Sequence, residues 1–153
     1  MRYAIGNVYW NTKQYEQAEQ WLTEELKRNP FHGLAHYRLG SIYVEQGKPD
    51  EAIAYLEQAL QSHPDMTGAQ FELGRAYAAT GRADEAIAML RKVAVADPEN
   101  DRVHYVLSNA YLKQGRKAEA QAEMTKYQEL TRKRLERAQR DVNTTSNALN
   151  KKP

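Results

Sequence analysis

The chain has 153 residues, 41% hydrophobic and 27% charged, with no cysteine. That is enough for one domain with a real core. It excludes wholesale disorder, a disulfide framework, a thiolate nucleophile and a zinc–thiolate site. Net charge is +2, but residues 1–112 hold 11 basic and 15 acidic residues, whereas residues 113–153 hold 11 basic and 5 acidic. The basic excess therefore belongs to the C-terminal end, where a solvated helix and tail accounts for it. No run approaches the roughly 18 apolar residues of a spanning helix. The opening MRYAIGNVYW lacks the basic start, apolar run and cleavage site of a signal peptide. The expectation is a soluble chain, its compartment open and the cytoplasm slightly favoured.

A period of 34 residues organises everything that follows. One column reads Tyr3, Tyr37, Phe71, Tyr105, and a second reads Tyr9, Tyr43, Tyr77, Tyr111. Ala18, Ala52, Ala86 and Ala120 form another, and Pro30, Pro64 and Pro98 a fourth. A fixed period of this length marks a solenoid whose units bury their apolar faces only against neighbours.

The first unit, about residues 1–32, starts two residues inside the repeat frame, so its first helix is short and uncapped. Trp10 and Trp21 are expected to sit partly exposed, and the chain reads as a piece of a longer repeat protein. Lys13 stands where later units have Gly47, Gly81 and Gly115. The second unit, Gly33 to Met66, shows the pattern best. Ala35, Leu39, Ile42 and Tyr43 recur at helical spacing. Gly40, with Gly6 and Gly74 in its column, implies close helix–helix approach. Gly47 suits a left-handed C-cap, Asp50 is the expected N-cap with Glu51 in the first turn, and Pro64 stops the second helix. Ala52, Leu56, Ala59 and Leu60 form that helix's apolar face. The third and fourth units, 67–100 and 101–131, repeat the plan, with Ser108 for glycine and Arg132 for proline in the last.

No proline stops the final helix. Its stripe runs Ala120, Met124, Tyr127, Thr131, Leu135, Ala138, Val142, one continuous face. The 24 residues from Ala118 to Asp141 would span about 36 Å. Residues 132–142 thus read as an extension, a frayed and charged capping helix in the plainer account and a docking or self-association segment in the sharper one. Residues 143–153 are expected to be disordered. Arg132, Lys133, Arg134, Arg137 and Arg140 lie all round the helix with Glu129, Glu136 and Asp141 among them, which argues against nucleic-acid or membrane contact.

The units LGSIYVEQGKPDEAIAYLEQAL…P and LGRAYAATGRADEAIAMLRKV…P resemble the tetratricopeptide repeat family, and the resemblance covers about residues 1–131. It implies an all-α superhelix of antiparallel helix pairs, here with an extended C-terminal helix. The family's usual tryptophan is absent, its column being held by Arg2, His36, Gln70 and His104.

The resemblance further implies that the first helix of each pair lines a concave groove. On that face lie Tyr3, Asn7 and Trp10; Tyr37, Ser41 and Val44; Phe71, Arg75 and Ala78; and Tyr105, Asn109 and Leu112, with Leu34, Glu45, Arg102 and Lys113 nearby. The groove is aromatic along its length and basic in its C-terminal half, the residue types that binding hot spots favour. Some relatives clamp a chaperone's terminal carboxylate with lysine and asparagine, but Tyr3, Tyr37 and Glu72 occupy the corresponding columns here.

No phosphate-binding, dinucleotide-binding or HExxH motif is present. His32, His36, His63 and His104 lack metal-ligand spacing, and His36 and His104 read as semi-exposed helix residues. The expectation is a non-catalytic scaffold without cofactor. It would bind a protein or peptide segment carrying apolar or aromatic anchors and an acidic group that faces Arg75 and Arg102. The alternatives are a structural module that self-associates, and the regulatory arm of a larger enzyme.

Overall fold

Each first helix of the repeat ends in the same backbone motif. The Gly47 N–H donates to the Val44 carbonyl at 3.1 Å and the Lys48 N–H to the Tyr43 carbonyl at 2.8 Å, with Gly47 at φ +70°. This is the Schellman turn, which needs a left-handed residue after the helix. It recurs at Gly81 and Gly115, and Lys13 takes the same left-handed conformation at φ +59°. Such a turn sends the next helix back antiparallel. In the computed structural model, which describes the backbone of residues 1–149 and side chains through Asn143, this yields α1 (Arg2–Asn11), α2 (Tyr15–Arg28), α3 (Gly33–Glu45), α4 (Pro49–Ser62), α5 (Thr67–Ala79), α6 (Ala83–Ala96), α7 (Asp101–Lys113) and α8 (Lys117–Leu149).

Each odd-numbered helix pairs with the helix after it, and each even-numbered one also packs on the next pair. The odd helices approach one another directly, α1 on α3, α3 on α5 and α5 on α7, whereas among the described residues the even ones do not. The stack therefore curves, with the odd helices on its concave side.

The glycine columns set the spacing within pairs. A Cβ added at Gly40 would stand 2.5 Å from Leu56 Cγ, and one at Gly74 would stand 2.7 Å from Leu90 Cγ, distances no real contact tolerates. In the last unit both partners change together. Ser108 replaces glycine and Met124, unbranched at Cγ, replaces leucine; the Ser108 hydroxyl donates to the Ala120 carbonyl at 2.8 Å. Ala18, Leu22, Ala35, Leu39, Ala52, Leu56, Ala86 and Leu90 are fully buried.

The second tyrosine column divides. Tyr77 and Tyr111 are buried, while Tyr9 and Tyr43 are half-buried. The Tyr43 hydroxyl donates to Glu19 at 2.7 Å and Tyr77 to Glu57 at 2.9 Å, each reaching the helix before it. Burial, reinforced by the Glu57 hydrogen bond, pushes the Tyr77 hydroxyl up to about 12.

Three expectations are corrected. Asp50 is not the N-cap: α4 begins at Pro49, preceded by Lys48, and Asp50 lies in the first turn. Proline is pre-set for the first helical position because its missing N–H would be unpaired there anyway. Next, His36 and His104 are buried rather than semi-exposed. His36 Nε2 donates to the Pro30 carbonyl at 2.8 Å, and Gln70, one period later, donates to the Pro64 carbonyl at 2.8 Å. In these two units the column staples the preceding inter-unit loop to the helix that follows it. His104 Nδ1 instead meets Glu123 Oε2 at 2.6 Å.

The third correction concerns α8. The helix continues through Leu149, since nothing between Val142 and Leu149 breaks it; residues 150–153 lie outside the described residues. Nor does α8 fray past Leu130. The Thr131 hydroxyl donates to Asp101 at 3.0 Å and Arg134 pairs with Asp101 at 3.0 Å. Arg137 grips Glu99 through two hydrogen bonds of 2.9 and 3.1 Å. Among the described residues no helix is long and apolar enough to cross a membrane.

Candidate functional site

The concave surface falls into two halves. In the N-terminal half the side chains expected to face a ligand are engaged with one another. Tyr3 stacks on His32 with centroids 4.7 Å apart. Asn7 Oδ1 accepts from Arg38 Nε at 2.8 Å. The same guanidinium lies 3.9 Å over the Trp10 ring and 5.1 Å from that of Tyr37, a partly desolvated cation–π sandwich. The Tyr37 hydroxyl lies over Gly68, where an added Cβ would come within 2.6 Å of it. Ser41 is buried. Leu34 is exposed and Val44 half-buried. Arg38, which ties this half together, carries no sign of that role in its place in the repeat.

The C-terminal half is open. Phe71 is only 6% exposed and forms a floor, whereas Tyr105 is 47% exposed. Arg102 lies 5.0 Å over the Phe71 ring. Phe71, Arg75, Arg102, Tyr105, Val106 and Tyr127 enclose a cleft of about 270 Å³. A second cleft of about 470 Å³, lined by Val44, Gly47, Pro49, Arg75, Ala76, Ala79 and Val106, adjoins it. Arg75 and Val106 belong to both walls, so the two clefts lie side by side across three units. Here Ala79 rather than Ala78 lines the wall. Asn109 is half-buried, Leu112 is exposed, and Lys113 donates to the Ala78 carbonyl at 2.7 Å, which spends its charge on the neighbouring unit.

The electrostatics differ from expectation at Arg75. Its guanidinium already holds Glu72 at 2.7 Å and Glu45 at 2.9 Å. Burial raises the Glu72 carboxyl above its ordinary range, against the pull of Arg75 and Arg102. Arg75 is therefore neutralised within the groove. Arg102 forms no ion pair among the described residues, although its charge also pulls on Glu72.

Comparison with known proteins agrees with this architecture. A tetratricopeptide repeat model matches residues 3–66 and 37–101, and a second matches residues 81–140. The chain belongs to the tetratricopeptide repeat family. No curated protein sequence matches it, but solved structures do. MamA from Desulfovibrio magneticus RS-1 superposes with a TM-score of 0.78 at 26% identity, over 86% of this chain and 75% of that one. A MamA D159K mutant gives 0.75 at 28% identity, over 84% and 75%. YrrB, described as a tetratricopeptide repeat protein with an unusual peptide-binding site, gives 0.77 at 26% identity, over 84% of this chain and 66% of its own. Family and neighbours together support a protein-interaction scaffold.

Proposed function

We propose that this protein is a non-catalytic scaffold that binds an extended segment of a protein partner along its concave face. The observation that carries the reading is the adjacency of the two clefts, which share Arg75 and Val106. A pair of pockets joined side by side suits a chain that runs through them better than a compact small molecule. The similarity to YrrB, with its peptide-binding site, supports it. Phe71 and Tyr37 pack between units, so replacing them would report on folding. Ala79, exposed on the wall of the larger cleft, is the better probe. Panning a random-peptide phage library over the immobilised protein should enrich a consensus, and Ala79→Arg, helical by circular dichroism, should lose it. Failure to enrich any sequence, or retention of the same peptides by Ala79→Arg, removes the reading.

Self-association is a second reading that one observation favours. Val8 is 60% exposed, although Ile42, Ala76 and Ala110 in its column are at most 1% exposed. Light scattering across a dilution series tests it, and a monomer at every concentration sets it aside.

A further inference from the structure

Tyr127 breaks the pattern of its column. The two preceding even-numbered helices, α4 and α6, carry Ala59 and Val93 there, both completely buried, while α2 carries the half-buried Glu25. A phenol ring is too long for a slot that fits alanine or valine. Tyr127 is instead half-buried, and its ring lies 5.4 Å from that of Tyr105 at 52°. Among the described residues it thereby becomes the one wall of the smaller cleft contributed by an even-numbered helix, since the other lining residues come from α5 and α7.

The chemistry of that cleft is correspondingly narrow. Three aromatic rings and Val106 supply apolar walls, and at about 270 Å³ it falls below the roughly 300–1,000 Å³ of pockets that enclose a drug-sized molecule. One large side chain fills it. Arg75 is held by Glu72 and Glu45, which leaves Arg102, exposed and lying over Phe71, as the cation at the rim. The larger cleft adjoins this one across Arg75 and Val106, so a segment that occupies both runs on past the pocket and offers Arg102 a side-chain acid.

We propose that Tyr127, with Phe71, Tyr105 and Arg102, forms a specificity pocket for a large apolar side chain flanked by an aspartate or glutamate in the partner segment. This rests on the groove reading above and adds to it the identity of the residues that are read. An aromatic-walled pocket beside a guanidinium that has no carboxylate within ion-pair distance among the described residues selects such a pair, because the apolar group is desolvated by the rings while the carboxylate keeps its partner at the edge.

The same phage library, panned separately over the wild-type chain, Arg102→Glu, Tyr127→Val and Ala79→Arg, tests it. Tyr127→Val installs the residue its column already carries at Val93, so the fold is expected to survive. The wild-type consensus should pair a ring or long aliphatic residue with Asp or Glu. Arg102→Glu should exchange the acid for Lys or Arg, and Tyr127→Val should keep the acid and lose the preference for a large apolar neighbour. The leading wild-type peptide, labelled and titrated by fluorescence anisotropy, should bind each variant about tenfold more weakly or worse, and its affinity should fall with salt. A consensus without an acid, or the same consensus from Arg102→Glu or Tyr127→Val, overturns the pocket. If Ala79→Arg nevertheless abolishes selection, the groove reading stands without it; if Ala79→Arg selects the same peptides too, or nothing is enriched at all, both fall.

Discussion

At its N-terminal end the array shows the solvent Val8, 60% exposed, from a column that elsewhere buries Ile42, Ala76 and Ala110. At its C-terminal end it shows Gln121, in a column that buries Ile53 and Ile87, and Gln128, in one that half-buries Leu26, Leu60 and Ala94. Both surfaces are the outer faces of a stack whose interior faces are apolar. The last unit has exchanged apolar for polar at the contact columns, while the first has kept the residue type of the interior. The last unit is also strapped, through Asp101 to Thr131 and Arg134 and through Glu99 to Arg137. Hydrogen bonding to Arg137 holds the Glu99 carboxyl below its ordinary range, as expected of a pair that forms in water. In a solenoid, where stability is nearly a sum of units and their interfaces, such differences make the two ends unequal.

The largest expected effect tests that inequality within one column. Leu107 is 1% exposed, while Ile5, three periods earlier, is half-buried. Leu107→Ala should cost about 2–5 kcal/mol, as cavities in closed cores do, and Ile5→Ala less than half as much. Urea denaturation measures both. Equal losses would mean that the first unit is as well closed as the last.

Next comes the strap. Asp101 is 6% exposed and sits where the other units have Gly33 and Thr67. Asp101→Ala removes charge-assisted hydrogen bonds from Thr131 and Arg134, and about 1–2 kcal/mol should be lost, discounted because Arg134 is well exposed. Amide exchange along α8 beyond Leu130 should quicken in the same variant. Unchanged exchange there would show that the extension is held by other contacts.

These two cases also mark what can be read without coordinates. The glycine–leucine columns and the Gly47-type turns were legible because each encodes one contact that repeats at one period. The strap was not. Asp101 lies 30 and 33 residues from its partners, and the reach of a side chain from an extended helix to the start of α7 depends on three-dimensional register. The groove shows the same division. Its aromatic column was legible, but its occupancy was not. Arg38 fills the N-terminal half through Asn7 and Trp10, Glu45 and Glu72 neutralise Arg75, and Tyr127 enters from a helix to which the repeat assigns no groove residue. His36 was misjudged because helical phase alone does not show that the loop from Pro30 folds back over it.

A smaller effect, of opposite sign, is expected at the first turn. Lys13 takes φ +59° in a motif where the later units use glycine, and its N–H still donates to the Trp10 carbonyl at 3.0 Å. A side chain in the left-handed region costs about 1 kcal/mol, so Lys13→Gly should stabilise the first unit by about that much, less the added freedom of the unfolded chain. A rise in the denaturation midpoint confirms it. A fall would mean that chain entropy outweighs the strain at this turn.

The smallest effect discriminates most finely between the two ends. Val8→Gln gives the first helix the kind of residue that the last helix already carries at Gln121 and Gln128. If Val8 faces water in solution as it does in the structure, little apolar area is lost and the change should stay within about 0.5 kcal/mol. The equivalent Ile42→Gln would bury an unpaired amide and unfold its unit. A loss at Val8 well above that limit, growing with protein concentration, would instead mean that a second copy covers the face in solution, since coupling to association makes apparent stability concentration-dependent. Running the measurement at two protein concentrations therefore separates a bare N-terminal face from a covered one.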